Sequence, residues 1–281
     1  MNQEIINQEN SKLKIHKHND LVKARYGALT LPEQLLLLLV IGKVDPRELT
    51  PETGVELTVS AFKDLTDANG ESSYDELKKA VKRLYNRSVM ILNPDPEDPS
   101  LTETETRWVS SINYYKNEGR VRVFFAPKIL PYLSNLQSNY TAYFLKHVAK
   151  FRSSYSIRLY EMLIQWKSVG STEIEVDELR QLWVLENKYP AMCDLKKRVI
   201  EPALRDINEY SNLWVKVGQR KRGRRVHSLQ FRFGLKKQQE KKKKQLTREY
   251  IEKHAKPGES WEDAVSRLKT FAYKSRSGNT S

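Results

Sequence analysis

The first strong pattern along the chain is a continuous apolar run from Leu35 to Ile41. Thr30, a proline and Glu33 precede it at the spacing of a helix-capping box, and Gly42 follows it. This arrangement predicts a helix that is buried on all sides. The run is far shorter than the roughly 20 apolar residues that a membrane-spanning helix needs, so we expect no membrane span.

Beyond this helix the pattern alternates between periods typical of strands and of helices. It first predicts a strand at Val55 to Val59, a helix capped by Ser60 and a turn at Asn69-Gly70. These are followed by a helix from Ser73 to Arg87, a strand from Val89 to Leu92, and a β-hairpin formed by Arg107 to Tyr115 and Arg120 to Phe125.

The second half repeats this order. It predicts an amphipathic helix from Ser153 to Trp166 that Gly170 ends, a strand from Glu173 to Val176, a helix from its cap Asp177 to Leu185, a long helix from Met192 to Tyr210, and a hairpin from Leu213 to Phe233.

Two copies of one element order indicate a duplicated module. A helical pair followed by a hairpin is the layout of a winged helix. The predicted fold class is therefore α+β and mostly helical, with two tandem winged-helix domains. We place the first domain at residues 1–137, the second at 138–235 and a basic tail at 236–281.

The second hairpin has a strongly cationic tip between Gly218 and Arg225. Its five cations are Arg220, Lys221, Arg222, Arg224 and Arg225, interrupted by Gly223. Because these charges repel one another unless phosphates or counterions neutralise them, we interpret the tip as a DNA-binding wing. A solvated loop is the simpler alternative, and a nuclear-localisation run fits poorly within a hairpin.

The predicted helix before this wing has a separate apolar and polar face. At 100° per residue the apolar face contains Leu195, Val199, Ala203 and Ile207, and the opposite face contains Asp194, Lys197, Arg198, Glu201, Arg205 and Asn208, with Lys196 flanking. Such side chains can contact base edges or phosphates, Asn favouring adenine and Glu favouring cytosine. We expect Lys197 and Arg198 to lie nearest the bases, and Pro202 to bend the helix. An ordinary cationic surface helix remains the alternative.

The corresponding helix of the first half directs Leu77, Val81 and Leu84 inward. Its outward candidates for DNA contact are Lys79, Lys82 and Arg83, with Asn86 beside them. The hairpin tip that follows, Lys116 to Gly119, has one cation and one anion. We therefore expect the first module to bind DNA more weakly and to contribute more to protein contacts.

The overall charge agrees with a polyanionic partner. The 281 residues have a formal net charge of +14, which favours nucleic acid first and an anionic membrane surface second. A basic solvated surface without a partner is the alternative. One cysteine excludes an internal disulfide and fits a reducing compartment, and the polar start of the chain lacks the apolar core of a secretory signal. We expect a cytoplasmic protein.

Motifs for chemistry are weak. His16 and His18 have the spacing of paired metal ligands in nicking enzymes, but no acidic ligand is matched to them. The phosphate-binding loop of Walker-type ATPases is absent, and Cys193 lacks organised His and Asn partners. We expect no enzymatic activity, no metal and no cofactor. In the tail, Ser260 is expected to cap a short helix with Trp261, which either docks on a partner or folds back on the core.

Three stretches resemble iteron-binding plasmid replication initiators. Residues 155–163 (YSIRLYEML), 195–208 (LKKRVIEPALRDIN) and 221–233 (KRGRRVHSLQFRF) resemble their second winged-helix domain, and residues 19–41 more loosely resemble their first. The resemblance implies binding of directly repeated double-stranded origin sites as a monomer, opening of the adjacent DNA and recruitment of the host initiator and replicative helicase. It also implies a homodimer in equilibrium with the monomer that represses its own gene.

Three rival functions remain open at this point. A dimeric winged-helix repressor without a replication role would bind only a palindrome. A nicking enzyme would cleave one DNA strand with a metal. An RNA-binding protein would prefer structured RNA to duplex DNA.

Overall fold

The computed structural model describes residues 10, 12–26, 29–66, 74–236, 254–256 and 259–274, with side chains of the last range described up to residue 267. The chain divides into two compact units, Met1–Lys236 and Lys237–Ser281. The predicted turn at Asn69-Gly70 and the predicted cap Ser73 lie outside the described residues. None of the helices in the described ranges combines the length and apolar character that crossing a bilayer requires.

The first half of the larger unit contains four helices and seven strands among the described residues. They are β1 (Lys14–His18), α1 (Asn19–Lys23), α2 (Leu31–Gly42), β2 (Val55–Thr58), α3 (Val59–Thr66), α4 (Tyr74–Tyr85), β3 (Ser88–Leu92), β4 (Glu103–Arg107), β5 (Val109–Tyr115), β6 (Arg120–Phe125) and β7 (Tyr140–Phe144). Short 3-10 turns lie between β5 and β6 (Lys116–Glu118), between β6 and β7 (Pro127–Tyr132) and after β7 (Leu145–His147).

Helix α2 is the centre of the first core, as its apolar run predicts. The Thr30 hydroxyl accepts from the Glu33 amide at 3.4 Å, and the Glu33 carboxylate accepts from the Thr30 amide at 2.9 Å, so the capping box is confirmed. Every residue from Glu33 to Ile41 is buried. The buried Glu33 also accepts from Arg87 at 3.1 Å and lies 3.3 Å from Arg83, which balances its charge.

The predicted hairpin of the first half is present, with one correction. Its first strand was expected to begin at Arg107, but the extended run breaks at the buried Trp108. The residues before this break form β4, which pairs with β3 as a separate antiparallel hairpin. The residues after it form β5, which pairs with β6 in a sheet of order β2-β6-β5.

Two further expectations for helix starts are wrong. Thr58, not Ser60, accepts a hydrogen bond from a first-turn amide of α3, at 3.2 Å from the Ala61 nitrogen. In the second half Asp177 lies inside its helix rather than at the cap, because that helix begins at Val176 and Glu175 is the N-cap residue without a side-chain bond.

The second half repeats the architecture. Its elements are α5 (Ser154–Ile164), β8 (Ser171–Glu175), α6 (Val176–Leu182), α7 (Met192–Leu195), a π-helical turn (Lys196–Ile200), α8 (Glu201–Tyr210), β9 (Leu213–Arg222) and β10 (Arg225–Leu235). The sheet order is β8-β10-β9, the same arrangement as β2-β6-β5. The helix expected to reach Leu185 ends at Leu182. Helix α5, expected to be amphipathic, is buried from Ser156 to Ile164 because it packs between the two halves.

Residues 192–210 form one continuous helical segment, here called the recognition helix. Within it the Glu201 amide donates to the carbonyl of Lys196, five residues back, which is the spacing of a π-helical turn. Pro202 has no amide hydrogen, and its ring clashes with the carbonyl four residues back in a regular helix. The distortion expected at Pro202 takes the form of this wider turn directly before it.

Buried polar contacts connect α5 to the first residues of the chain. The Lys17 ammonium lies 2.7 Å from the Glu161 carboxylate, and both side chains are buried. The Tyr143 hydroxyl donates to the same carboxylate. Burial, together with the nearby Glu161 charge, raises the pKa of Tyr143 well above its ordinary value. The buried Arg158 donates to the carbonyls of Ala24 and Tyr26 at 2.8 and 2.7 Å. The two halves therefore share one interior, and the division at residue 137 stays a prediction.

In the smaller unit, helix α9 spans Trp261–Lys274. The predicted cap is present, since the Ser260 hydroxyl accepts from the Asp263 amide at 3.2 Å. Glu259 forms a salt bridge with Arg267 at 2.7 Å, and this bond lowers the pKa of Glu259 to about 2. The rest of the basic tail before this helix is largely outside the described residues.

Candidate nucleic-acid interface

The recognition helix separates its faces as predicted. Leu195, Val199, Ala203 and Ile207 are all buried against the core of the second half. Lys197, Arg198, Glu201, Arg205 and Asn208 are exposed, and Lys196 and Asp194 are half-buried at the boundary. The outward cations Lys197, Arg198 and Arg205 have no salt bridge with any carboxylate in the described part of the chain. They are therefore available to an anionic ligand.

Arg198 has an aromatic neighbour that the sequence did not reveal. Its guanidinium lies 6.0 Å from the ring centroid of Tyr189, in the loop before the recognition helix. This loop is itself fixed, because the Arg180 guanidinium donates to the carbonyls of Tyr189 and Lys188 at 2.7 and 3.0 Å. At this distance the ring attracts the exposed guanidinium weakly. Tyr189 is thus the aromatic neighbour of one of the two side chains expected nearest the bases.

Asn208 does not have the role expected from its outward position. Its amide nitrogen donates to the carbonyl of Val215, and its oxygen accepts from the Val215 amide, both at 2.9 Å. Both polar atoms are therefore used to join the end of the recognition helix to β9. The expectation that Asn208 is free to contact adenine is wrong, because periodicity alone does not show which backbone groups need a partner.

The wing is formed by β9, β10 and the turn between them. The strands pair from Leu213 opposite Leu235 to Arg222 opposite Arg225, with a bulge between Val226 and Ser228. Gly223 has φ +61°, a conformation that residues with side chains rarely adopt. All residues from Gly218 to Arg225 are exposed, as predicted for a projecting tip.

One of the five wing cations is neutralised within the protein. Arg220 lies 3.3 Å from the Glu173 carboxylate on β8. Glu173 also accepts from the hydroxyl of Ser228 and, at 2.9 Å, from the amide of Gln230, and these bonds lower its pKa. The four remaining wing cations have no salt bridge to a described carboxylate, and they are Lys221, Arg222, Arg224 and Arg225.

The first module presents a smaller basic surface. On α4 the predicted residues Lys79, Lys82 and Arg83 are exposed and line one groove with Asp75, Lys78 and Tyr114. The sequence did not single out Lys78 or Tyr114. The Lys78 ammonium lies 5.5 Å from the Tyr114 ring, and Tyr114 reaches the groove from β5, so the contact depends on the fold.

Several cations of the first module already have partners. Lys82 lies 4.8 Å from the ring of Tyr85, and Arg83 lies 3.3 Å from the buried Glu33. At the base of the first wing, Arg120 forms salt bridges with Glu118 at 2.6 Å and with Glu56 at 2.9 Å. Gly119, with φ +61°, closes this short tip. At the wing, the first module therefore has fewer unneutralised cations than the second.

Within the described residues, the structure adds no metal ligands to the histidine motif of the sequence. His16 and His18 lie on β1, and the described residues contain no group of three His, Cys, Asp or Glu that could hold a metal ion. Cys193 is exposed at the start of the recognition helix.

Comparison with known proteins places this geometry in a family. Residues 14–164 match the family described as Initiator Replication protein, WH1, and residues 175–233 match the one described as Initiator Rep protein, WH2. The chain belongs to this initiator family. It is 32% identical over 237 residues to a Replication initiation protein of Escherichia coli, across 81% of this chain and 72% of that protein. It is 25% identical over 217 residues to an Uncharacterized 27.6 kDa protein of Escherichia coli, across 74% of this chain and 90% of that protein.

A solved structure confirms the predicted fold class. The Pi initiator protein, crystallised in complex with iteron DNA, superposes with a TM-score of 0.68 at 22% sequence identity, over 81% of this chain and 99% of that one. Together with the two family matches, this likeness establishes tandem winged-helix domains in a replication initiator. The predicted family is therefore confirmed, whereas the roles of individual cations stay predictions.

Proposed function

We propose that this initiator starts plasmid replication by binding directly repeated duplex sites, or iterons, at an origin as a monomer. Its membership of the initiator family supports this function, and so does its structural likeness to a protein solved with iteron DNA. Binding, rather than a chemical reaction on DNA, is the proposed activity.

The observation that carries the proposal is the set of unneutralised cations in the second module. Lys197, Arg198 and Arg205 lie outward on the recognition helix, and four further cations lie at the wing tip. A helix in the major groove reads base edges, whereas a flexible basic tip contacts phosphates. We therefore assign sequence recognition to Lys197 and Arg198 and phosphate binding to the wing. Lys196, half-buried at the edge of the helix, is assigned a supporting phosphate contact.

The duplicated fold explains binding to direct repeats. Two winged helices in one polypeptide can place two helices in successive major grooves, about 10 base pairs apart, without a second subunit. One monomer can then cover a site that has no internal symmetry. The first module, with Lys79, Lys82 and Arg83, supplies the weaker of the two contacts.

Further steps follow from this role as proposals. The bound protein promotes opening of the adjacent DNA and recruits the host initiator and replicative helicase. A dimer in equilibrium with the monomer represses the protein's own gene. We assign dimerisation to residues 1–137, specific DNA binding to residues 138–235 and an auxiliary role to the basic tail.

Footprinting on the DNA that flanks the coding region tests the proposal. Protected sites repeated in the same direction are expected, and plasmids that contain this region should replicate only with the protein present. A single palindromic footprint without replication would instead indicate a dimeric repressor. Metal-dependent nicking, or tighter binding to structured RNA than to duplex DNA, would contradict the proposal.

A further inference from the structure

A two-stranded ribbon of the first module has an outward face that is not among the duplex contacts proposed above. Strands β1 and β7 pair antiparallel over five residues each. Because alternate residues of a strand face the same side, one face of the ribbon is buried and the other faces outward. The outward face consists of three cross-strand pairs, His18 with Tyr140, His16 with Ala142 and Lys14 with Phe144.

Each outward pair contains an aromatic ring. Tyr140 and Phe144 are 43% and 38% exposed, although rings of this size are usually buried. The half-buried His16 lies between them along the ribbon, with its ring centroid 6.1 Å from that of Tyr140. Successive pairs are two residues apart, or about 6.7 Å along the strand. This step is similar to the distance between neighbouring phosphates of an extended nucleic-acid strand.

Cations line both sides of these rings. Lys12 and Lys14 line a cleft together with His16 and Tyr140. At the other end the Lys146 ammonium lies 5.1 Å from the ring of Phe144.

Two carboxylates near this face lie beside basic side chains. Asp45 accepts from the Arg47 guanidinium at 2.5 Å, a bond that lowers the pKa of Asp45 to about 2. Asp20 lies 3.2 Å from His18. No side chain on the outward face of the two strands is acidic, so the face favours an anionic ligand.

We propose that this ribbon is a binding site for single-stranded DNA. Exposed rings stack on unpaired bases of any sequence, while neighbouring cations contact the backbone. A duplex cannot use the rings, because its bases are already stacked on one another. The choice of DNA over RNA rests on the proposed function in plasmid replication, whereas the preference for an unpaired strand rests on the ribbon itself.

Binding of a fluorescent 20-nucleotide oligothymidylate tests the site. The full chain with Tyr140→Ala and Phe144→Ala should bind this strand at least about tenfold more weakly, because stacking on each ring contributes substantially to affinity. Its affinity for a random duplex of equal length should stay within twofold. The aromatic exchange Tyr140→Phe with Phe144→Tyr should restore strand binding. Trp166→Ala, which removes a ring of similar exposure (44%) elsewhere, is the control.

Three outcomes would overturn the proposal: unchanged affinity for the oligothymidylate, equal losses on strand and duplex, or tighter binding of oligouridylate than of oligothymidylate. Exposed rings on paired strands also stabilise a sheet, so thermal unfolding is measured for each variant. A purely structural role would lower the unfolding temperature without a selective loss of strand binding. If the unmodified protein did not bind duplex repeats, this result would count against the proposed function. The ribbon site would still be tested by the binding of the oligothymidylate.

Discussion

The two winged-helix modules share one sheet order, β2-β6-β5 in the first and β8-β10-β9 in the second, but differ in how their basic residues are neutralised. In the first, Arg83 and Arg120 have carboxylate partners, and the wing tip has one cation, Lys116, and one anion, Glu118. In the second, four wing cations have no salt bridge to a described carboxylate. A shared fold therefore does not imply a shared role, because function depends on which charges remain free.

The comparison also shows what the modules have in common. Both depend on α5, since the Lys17–Glu161 ion pair and the Arg158 contacts connect this helix to the start of the chain. Such buried pairs contribute little net stability, but each partner depends strongly on the other.

The largest expected effect comes from breaking this shared interior. Lys17→Met should lower the free energy of unfolding by about 3–5 kcal/mol, because it leaves Glu161 buried and unpaired. Both modules should lose stability together, which urea unfolding followed by tryptophan fluorescence can measure. The double variant Lys17→Met with Glu161→Leu should recover most of the loss. Normal stability of the single variant would show that this ion pair is not needed to hold the shared interior together.

The next largest effect concerns the wing of the second module. Replacing Lys221, Arg222, Arg224 and Arg225 by alanine should weaken binding to all duplexes alike, by one or more orders of magnitude. If each cation neutralises one phosphate, the slope of log affinity against log salt should fall by about 3 to 4. Titrations at several salt concentrations measure both quantities. Lys216→Ala with Arg232→Ala, on the same strands but away from the tip, is the control. A loss confined to the specific site would assign base contacts to the wing.

Changes in the recognition helix should act differently. Lys197→Ala or Arg198→Ala should cost about 1–3 kcal/mol on the specific site and much less on random DNA. Competition between the two duplexes measures this selectivity. Glu209→Ala, at an exposed position about three turns further along the same helix, is the control. Equal losses of affinity on both duplexes would mean that these residues contact phosphates rather than bases.

Replacing cations of the first module should weaken duplex binding less than the changes in the second wing. Lys79→Ala with Lys82→Ala is expected to cost roughly 1 kcal/mol and to reduce the salt slope by at most about 2. A loss as large as that of the second wing would contradict the ranking of the two modules.

The smallest expected effect concerns Arg220, the wing cation that forms a salt bridge with Glu173. Glu173→Gln keeps one oxygen to accept from the Gln230 amide and gains an NH2 group that can donate to the Ser228 hydroxyl, but it releases Arg220 from its salt bridge. Duplex affinity should rise by about twofold, with a salt slope steeper by at most about 1. The exposed Glu178→Gln, which removes the same charge from α6, should have less effect.

Local patterns predicted much of this structure, because their causes are local. The capping box of Thr30 and Glu33, the inward face from Leu195 to Ile207 and the wing turn at Gly223 depend on residues within a few positions of one another. Contacts between distant residues were not visible in the sequence. Arg220 meets Glu173, 47 positions away, and Lys17 meets Glu161, 144 positions away. Asn208 shows the same limit, since its position on the helix did not reveal its bonds to β9.

Cys193 allows a direct test of the central claim that the second recognition helix reads each repeat. It is the chain's one cysteine and is exposed at the start of that helix. An iron chelate attached to its thiol would cleave DNA wherever this helix binds. We predict one cluster of cuts per repeat, always at the same position and in the same direction. Cuts arranged symmetrically about a dyad, or scattered cuts without a repeat, would contradict the account.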